Sequence, residues 1–342
     1  MSPLPPDLLR DDVQMVLAFA VAFFTALFAT PRLRAAALRL GIVDAPDGQL
    51  KTQREPVAYL GGLAVALGVL FALGLTYQFD HTGLAILLGG SIVLVLGLID
   101  DLVRLDPVSK LGGQVLAALV LVKAGVFIQL AYLPAWVAIP LTVLWIVAAT
   151  NAFNLIDIMD GLSSGVGAVA AAFFAVIAFA DGRLTTAFLG AALAGALIGF
   201  RRYNVHPAKI YLGDTGSLFS GFLLGALAIA NSYTRIDPLG VLAPLLILGV
   251  PLFDMLFVMW IRWRRGVPVM LGSPDHVALR LRRWRLSIRA TVRANVAASI
   301  LLGGAGLALT MVPPAWALGI LGALLVTATG LALWLKSIDM SL

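Results

Sequence analysis

Apolar runs long enough to cross a bilayer follow one another almost without interruption, and this succession constrains the chain more than any other feature. They lie at approximately 13–33, 56–77, 82–99, 107–125, 134–151, 161–180, 182–200, 214–231, 238–262, 290–311 and 314–335. A spanning helix needs about 17 to 25 mostly apolar residues. Hydrocarbon offers no partner for backbone N–H and C=O groups, so such runs must pair internally as helices. The expected fold is therefore an all-α polytopic membrane protein with 10–11 transmembrane helices. Composition supports it: 61% of the 342 residues are hydrophobic and 12% charged, against roughly a quarter charged in soluble domains. With no cysteine in the chain, disulfides and thiol chemistry are excluded. The opening "MSPLPPDLLRDD" carries acids where a cleavable signal would carry a basic segment, so the first run is expected to be a retained helix. No repeat or soluble domain interrupts the pattern, and residues 1–342 read as a single integral membrane domain.

The chain has 24 Lys and Arg against 18 Asp and Glu. Such an excess can signal nucleic acid, but its distribution follows the membrane, and no nucleic-acid partner is expected. Taken by alternate loops, one set holds 20 of the 24 basic residues and the other only Arg10, Lys123, Arg183 and Arg235. Lys and Arg accumulate in cytoplasmic loops, so the N-terminus is expected outside and the C-terminus in the cytoplasm.

The polar chemistry gathers on that same cytoplasmic face. It comprises "DAPDGQLKTQREPVAYLGG" (44–62), "GLIDDLVRLDPVSK" (97–110), "NAFNLIDIMDGLSSG" (151–165), "RRYNVHPAKIYLGDTGS" (201–217) and "GSPDHVALRLRRWRLS" (272–287). An enzyme working at the membrane surface fits this asymmetry better than a transporter, whose ion and substrate groups sit near the bilayer midplane. Asp100 and Asp101 end the third run. Two adjacent acids are ordinary in a solvated loop, but beside lipid they repel each other unless a cation compensates. Asn151, Asn154, Asp157 and Asp160 recur at threes; if helical, they share one face. Asp214, in "GDTGS", opens a helix, where a capping role competes with a ligand role. Five carboxylates with only oxygen and amide groups nearby point to a hard cation. Magnesium is the expected ion, manganese its alternative, because one or two carboxylates plus substrate phosphates suffice to hold magnesium. The lack of cysteine and the three histidines argue against zinc. Lys51, Lys110 and the arginines of 280–289 share the face; most of those arginines follow the positive-inside bias. His276, alone in "SPDH", reads more readily as a structural histidine than as a catalytic one. Magnesium, carboxylates and basic groups together are the apparatus of phosphoryl transfer, while the absence of a GxxxxGK[ST] loop argues against a nucleotide-driven motor.

On "DD" at 100–101, "NAFNLIDIMDGL" at 151–162, "YLGDTGS" at 211–217 and "PDH" at 274–276, with "PVAYLGG" at 56–62 and "PLFD" at 251–254, the chain resembles the polyprenyl-phosphate N-acetylhexosamine-1-phosphate transferases. The resemblance runs from about residue 44 to 290. It implies transfer of a sugar-1-phosphate from a UDP-N-acetylhexosamine to polyprenyl phosphate, releasing UMP, in a bacterial cytoplasmic membrane. It implies that Asp214, with Asn154, holds magnesium, and that Asp100 and Asp101 deprotonate or orient the lipid phosphate. Asp157 is placed with the catalytic acids at the nucleotide pocket, Asp160 near the uracil, and Asn151 among the substrate-binding residues. Lys110, His276 and Lys51 are expected to contact the diphosphate region. A homodimer is implied as well.

The branch transferring phospho-MurNAc-pentapeptide carries a histidine cluster where this chain has His276 followed by "VALRL", which favours N-acetylglucosamine-1-phosphate as the transferred group. The pentapeptide transferase remains the alternative, and an ion-coupled transporter the alternative of another class. Asp254, within an apolar run, is costly there and suggests function, the alternative being simple pairing with Arg262 or Arg264.

Overall fold

The structure, a computed structural model, describes residues 10–44, 56–76, 80–130, 133–234, 236–268 and 273–340. Lys51 lies outside them. The chain divides into two compact units, Met1–Asn231 and Ser232–Leu342.

The first unit holds eight helices: α1 (Asp11–Leu40), α2 (Gly61–Thr76), α3 (His81–Val103), α4 (Pro107–Lys123), α5 (Ala135–Leu155), α6 (Leu162–Ala180), α7 (Leu184–Asn204) and α8 (Gly213–Ala230). Between α1 and α2, strands β1 (Val43–Asp44) and β2 (Val57–Ala58) pair antiparallel, with Val43 opposite Ala58. Helix α8 is enclosed by α3, α5, α2 and α6, while α1 packs along α7 and α2. Leu, Phe and Val side chains such as Phe28, Phe71 and Leu144 stay exposed on the outer helices, as expected where lipid is the solvent. With no hydrophobic drive between helices in lipid, small residues that admit close backbone approach carry the packing. Gly97 of α3 shows this best. A Cβ there would come within 2.6 Å of Thr215 N, so only glycine lets the acidic end of α3 lie against the start of α8.

The second unit opens with a 3₁₀ turn, Pro238–Leu242, leading into α9 (Ala243–Ile247) and α10 (Gly249–Arg264). It continues through α11 (Val277–Arg283), α12 (Ile288–Leu309) and α13 (Pro314–Ser337). Phe257, Ile261, Val277 and Leu335 form its buried cluster.

Among the described residues each expected apolar run carries a helix, although the run expected at 56–77 opens with strand β2 and becomes helical only at Gly61. Among the described residues eight helices are long and apolar enough to cross a membrane, and the pair Pro238–Ile247 and Gly249–Arg264, bent by 74°, makes a ninth if it is one span. Helices α2 and α4 have 16 and 17 residues. At about 1.5 Å per residue they reach somewhat less than the ~30 Å hydrocarbon core. The fold is that of an all-α polytopic membrane protein.

Candidate active site

The site is assembled in the first unit where the ends of α3 and α5, the start of α4 and the start of α8 meet. Asp100 and Asp101 leave α3 in different directions. Asp101 Oδ1 accepts from the Asp214 backbone N–H (2.8 Å), and its Oδ2 accepts from Thr215 N (3.0 Å) and Thr215 Oγ1 (2.6 Å). The first N–H groups of any helix lack intrahelical partners, and here a carboxylate from another helix satisfies them. Asp214 sits in the first turn of α8 and is not its cap: the cap position is Leu212, which makes no side-chain cap bond.

Asp100 faces the other way. Its Oδ1 accepts from Leu105 N (2.6 Å) and its Oδ2 from Lys110 Nζ (3.1 Å). The turn between α3 and α4 closes around it, with Arg104 at φ 53°, an uncommon conformation for a residue with a side chain. Asp106 then caps α4 by accepting from Val108 N and Ser109 N, each at 3.0 Å. That start fixes the helical register that returns Lys110 to Asp100. Lys110 Nζ also donates to Asn154 Oδ1 (3.4 Å) and to Asp214 Oδ2. Asn154 is itself oriented, donating from Nδ2 to Asp214 Oδ1 (2.9 Å) and Ser217 Oγ (3.0 Å). One cationic nitrogen thus sits among oxygens of Asp100, Asn154 and Asp214.

This cluster tests the expected metal. Among the described residues no three His, Cys, Asp or Glu side chains are grouped as a ready-made cage. An oxygen-only set of two carboxylates and an amide, already gathered about a positive charge, nevertheless matches what magnesium takes from protein when phosphates complete its shell.

The stripe expected for Asn151, Asn154, Asp157 and Asp160 is broken by the backbone. Helix α5 ends at Leu155, and Gly161 turns the chain at φ 76°. Asn151 and Asn154 are helical; Asp157 and Asp160 lie in the turn that follows. Asn151 exchanges hydrogen bonds with Gln114 of α4, donating to Oε1 (2.5 Å) and accepting from Nε2 (3.3 Å), so it ties α4 to α5. Asp157 is half-buried. Burial first, then the charges of Asp214, Asp101 and Asp160, pushes its carboxyl well above the usual range, against a hydrogen bond from the Gly213 backbone.

Asp160 Oδ2 is met by His206 Nδ1 (2.7 Å) and the Ala208 backbone N–H (3.0 Å). Asn204 Oδ1 accepts from Gly161 N and Ser164 Oγ, both at 3.0 Å. Tyr59 and Tyr211 stand side by side with ring centroids 6.0 Å apart. Between their segments Tyr211 N donates to Ala58 O (2.9 Å), Gly61 N to Tyr211 O (3.1 Å) and Gly62 N to Leu212 O (2.9 Å). Burial, then the charge of Asp160, pushes the Tyr211 phenol up to about 12, so it remains a hydrogen-bond donor at neutral pH. Sequence reasoning missed Gln114, Asn204, His206, Thr215 and the tyrosine pair. The shared "YLG" of 59–61 and 211–213 is the one local sign that two of these segments are matched; the rest are long-range partners with no sequence spacing of their own.

His276 lies in the second unit, away in sequence from every residue just described. Its Nδ1 contacts Asp254 Oδ2 (2.6 Å), and Asp254 Oδ1 accepts from Val277 N (2.7 Å). Of the two readings of Asp254, pairing with Arg262 or Arg264 is the one the structure does not bear out: Arg262 Nε donates to Pro268 O (2.8 Å), and the Arg264 guanidinium lies 5.8 Å from the Trp260 ring centroid. A partner reached through a turn has won over the arginines that follow on the same helix. The buried Arg280 holds Asp275 Oδ1 (2.5 Å) and Leu335 O (2.9 Å), securing the segment that carries His276.

Comparison with known proteins adds a family. Residues 83–232 match the model described as Glycosyl transferase family 4. A Bacillus subtilis protein named probable undecaprenyl-phosphate N-acetylglucosaminyl 1-phosphate transferase is 35% identical over 289 residues, covering 82% of this chain and 80% of the relative. The Mycolicibacterium smegmatis decaprenyl-phosphate N-acetylglucosaminephosphotransferase is 32% identical over 306 residues, covering 78% and 74%. A phospho-N-acetylmuramoyl-pentapeptide-transferase of Halalkalibacterium halodurans is 32% identical over 240 residues, covering 63% and 73%.

Proposed function

The chain belongs to glycosyl transferase family 4, and from that premise we propose that it transfers N-acetylglucosamine-1-phosphate from a UDP-sugar to polyprenyl phosphate, releasing UMP. The observation that carries the reading is the convergence of Asp100, Lys110, Asn154 and Asp214 at helix ends. A carboxylate, an ammonium and an oxygen cluster are what a phosphate acceptor and a diphosphate donor require together.

An oxygen of the lipid phosphate attacks the phosphorus that bears the sugar. A new P–O bond forms at that phosphorus, its bond to the bridging oxygen of the donor diphosphate breaks, and that oxygen leaves with its electron pair as part of UMP. Asp100 orients the acceptor phosphate and takes its proton. Lys110 offsets negative charge on the phosphates. Asp214 and Asn154 would hold magnesium, with manganese as the alternative ion; once bound, the metal would neutralise charge building on the diphosphate. Asp101 keeps the start of α8 in place, so its contribution is to position Asp214. Asp157 and Asp160 border the nucleotide, with Asp160 at the uracil. Lys51 and His276 keep the phosphate contacts that the resemblance gives them, and Asn151 contributes to substrate binding by holding α4 against α5. The twenty basic residues on alternate loops support an outside N-terminus, a cytoplasmic C-terminus and a cytoplasmic site in a bacterial inner membrane. Action of residues 1–342 as one catalytic domain, and assembly as a homodimer readable by native mass measurement in mild detergent, are parts of the same proposal.

The deciding experiment is UMP release by purified protein given polyprenyl phosphate, magnesium and single UDP-sugars. Release dependent on both lipid and metal is expected, fastest with UDP-N-acetylglucosamine. Preference for the MurNAc-pentapeptide donor would move the chain to that branch. No release from folded protein with any sugar would overturn the reading.

A further inference from the structure

We propose that His206 is a positioning residue that sets the donor's base specificity by holding Asp160 with one carboxylate oxygen turned to the nucleotide. The inference rests on the function proposed above, in which Asp160 borders the uracil. A carboxylate can only accept hydrogen bonds, so Nδ1 of His206 must carry the proton it shares with Asp160 Oδ2 at 2.7 Å. The Ala208 backbone N–H reaches the same oxygen at 3.0 Å. Two donors therefore saturate one side of the carboxylate. Among the described residues no donor meets Oδ1. A free carboxylate oxygen held in one orientation accepts the imide N–H of uracil, whereas cytosine presents an unprotonated ring nitrogen at that position and would repel it. Discrimination of this kind is strong when a polar group is aimed in advance, because the wrong ligand leaves it unpaired.

The geometry separates this role from mere support of the loop. Residues 205–210 have other holds: Asn204 Nδ2 donates to Ile210 O (3.1 Å), Lys209 N to Tyr203 O (2.8 Å), and Arg34 Nε of α1 to Lys209 O (2.8 Å). Losing the His206 donor should release the Asp160 carboxylate while leaving the loop in place. Tyr211, half-buried, stands at the end of the same segment, its ring centroid 6.0 Å from that of Tyr59.

The test compares His206→Asn, His206→Gln and His206→Ala in the full-length protein. An asparagine amide can place N–H where Nδ1 stands; a glutamine amide places it further out. For His206→Ala and His206→Gln, KM for the UDP-sugar should rise about tenfold, the effect of one hydrogen bond to a charged group. Their kcat should change little, and the preference for UMP over CMP as a competing ligand should narrow. His206→Asn should restore both readouts. If His206→Ala does not fold, the contrast between Asn and Gln decides. Equal KM and equal UMP-to-CMP preference in all variants would overturn the proposal, as would a parallel fall of kcat and thermal stability with unaltered preference. Should the wild-type protein release no UMP with lipid phosphate, the proposed reaction fails on its own, and direct binding of UMP and CMP still tests His206.

Discussion

Asp100 and Asp101 are chemically identical neighbours, yet the fold separates their work. Both oxygens of Asp101 are engaged by donors of α8, while Asp100 Oδ2 faces Lys110. Asp101→Asn would place an amide N–H against backbone donors, leaving at least one of them unpaired at a cost of about 1–3 kcal/mol. We therefore expect Asp101→Asn to lower the thermal unfolding temperature in detergent and to lose activity with it. Asp100→Asn should unfold near the wild-type temperature and lose turnover. Matching unfolding temperatures with matching activities would show that the two acids are not divided in this way. Asp214→Asn keeps the hydrogen bonds of α8 and removes one negative charge from the proposed metal cluster. Magnesium-dependent turnover should fall by about 100-fold or more, on the scale of losing one preorganised electrostatic contact in a transition state. Folded protein with wild-type turnover and an unchanged magnesium requirement would remove Asp214 from the metal site.

At the scale of elements, the contact between α3 and α8 governs the site, because it brings "DD" to "GDTGS". Gly97 permits it. Gly97→Ala forces a methyl group against the backbone of Asp214 and Thr215, an overpacking that typically costs 1–3 kcal/mol. The expected result is a lower unfolding temperature together with weakened magnesium dependence, since the displaced backbone carries Asp214. Gly74, with open space around its Cβ position, is the control: Gly74→Ala should leave both readouts unchanged. Gly97→Ala behaving like Gly74→Ala would show that the close approach does not set the site. The same scale explains one misreading. The spacing of Asn151, Asn154, Asp157 and Asp160 fits a helical face, but α5 stops after Leu155, so the last two acids are placed by a turn.

For the whole molecule, the placement of basic residues makes a topological prediction that the chain is well suited to test. It contains no cysteine, so any introduced thiol is a unique reporter. Asp11→Cys should react with a membrane-impermeant thiol reagent in intact cells. Ser109→Cys and Ser337→Cys should react only after permeabilisation. Labelling of Ser109→Cys in intact cells would place the end of α3, and with it the candidate site, on the outer face.

The membrane class, the helical runs and the set of acids were all legible in the amino-acid order, because hydrophobic run length and composition are local properties. So were "DD" and "GDTGS" as parts of one site, through resemblance. The partner of each acid was not. Asp101 capping α8, His206 holding Asp160, Gln114 holding Asn151 and His276 in place of an arginine at Asp254 are contacts between residues 22 to 114 positions apart. No periodicity encodes such pairings. They follow from which helices lie side by side, and that is decided by small residues such as Gly97 letting two backbones touch and by the need of every buried donor and acceptor to find a partner.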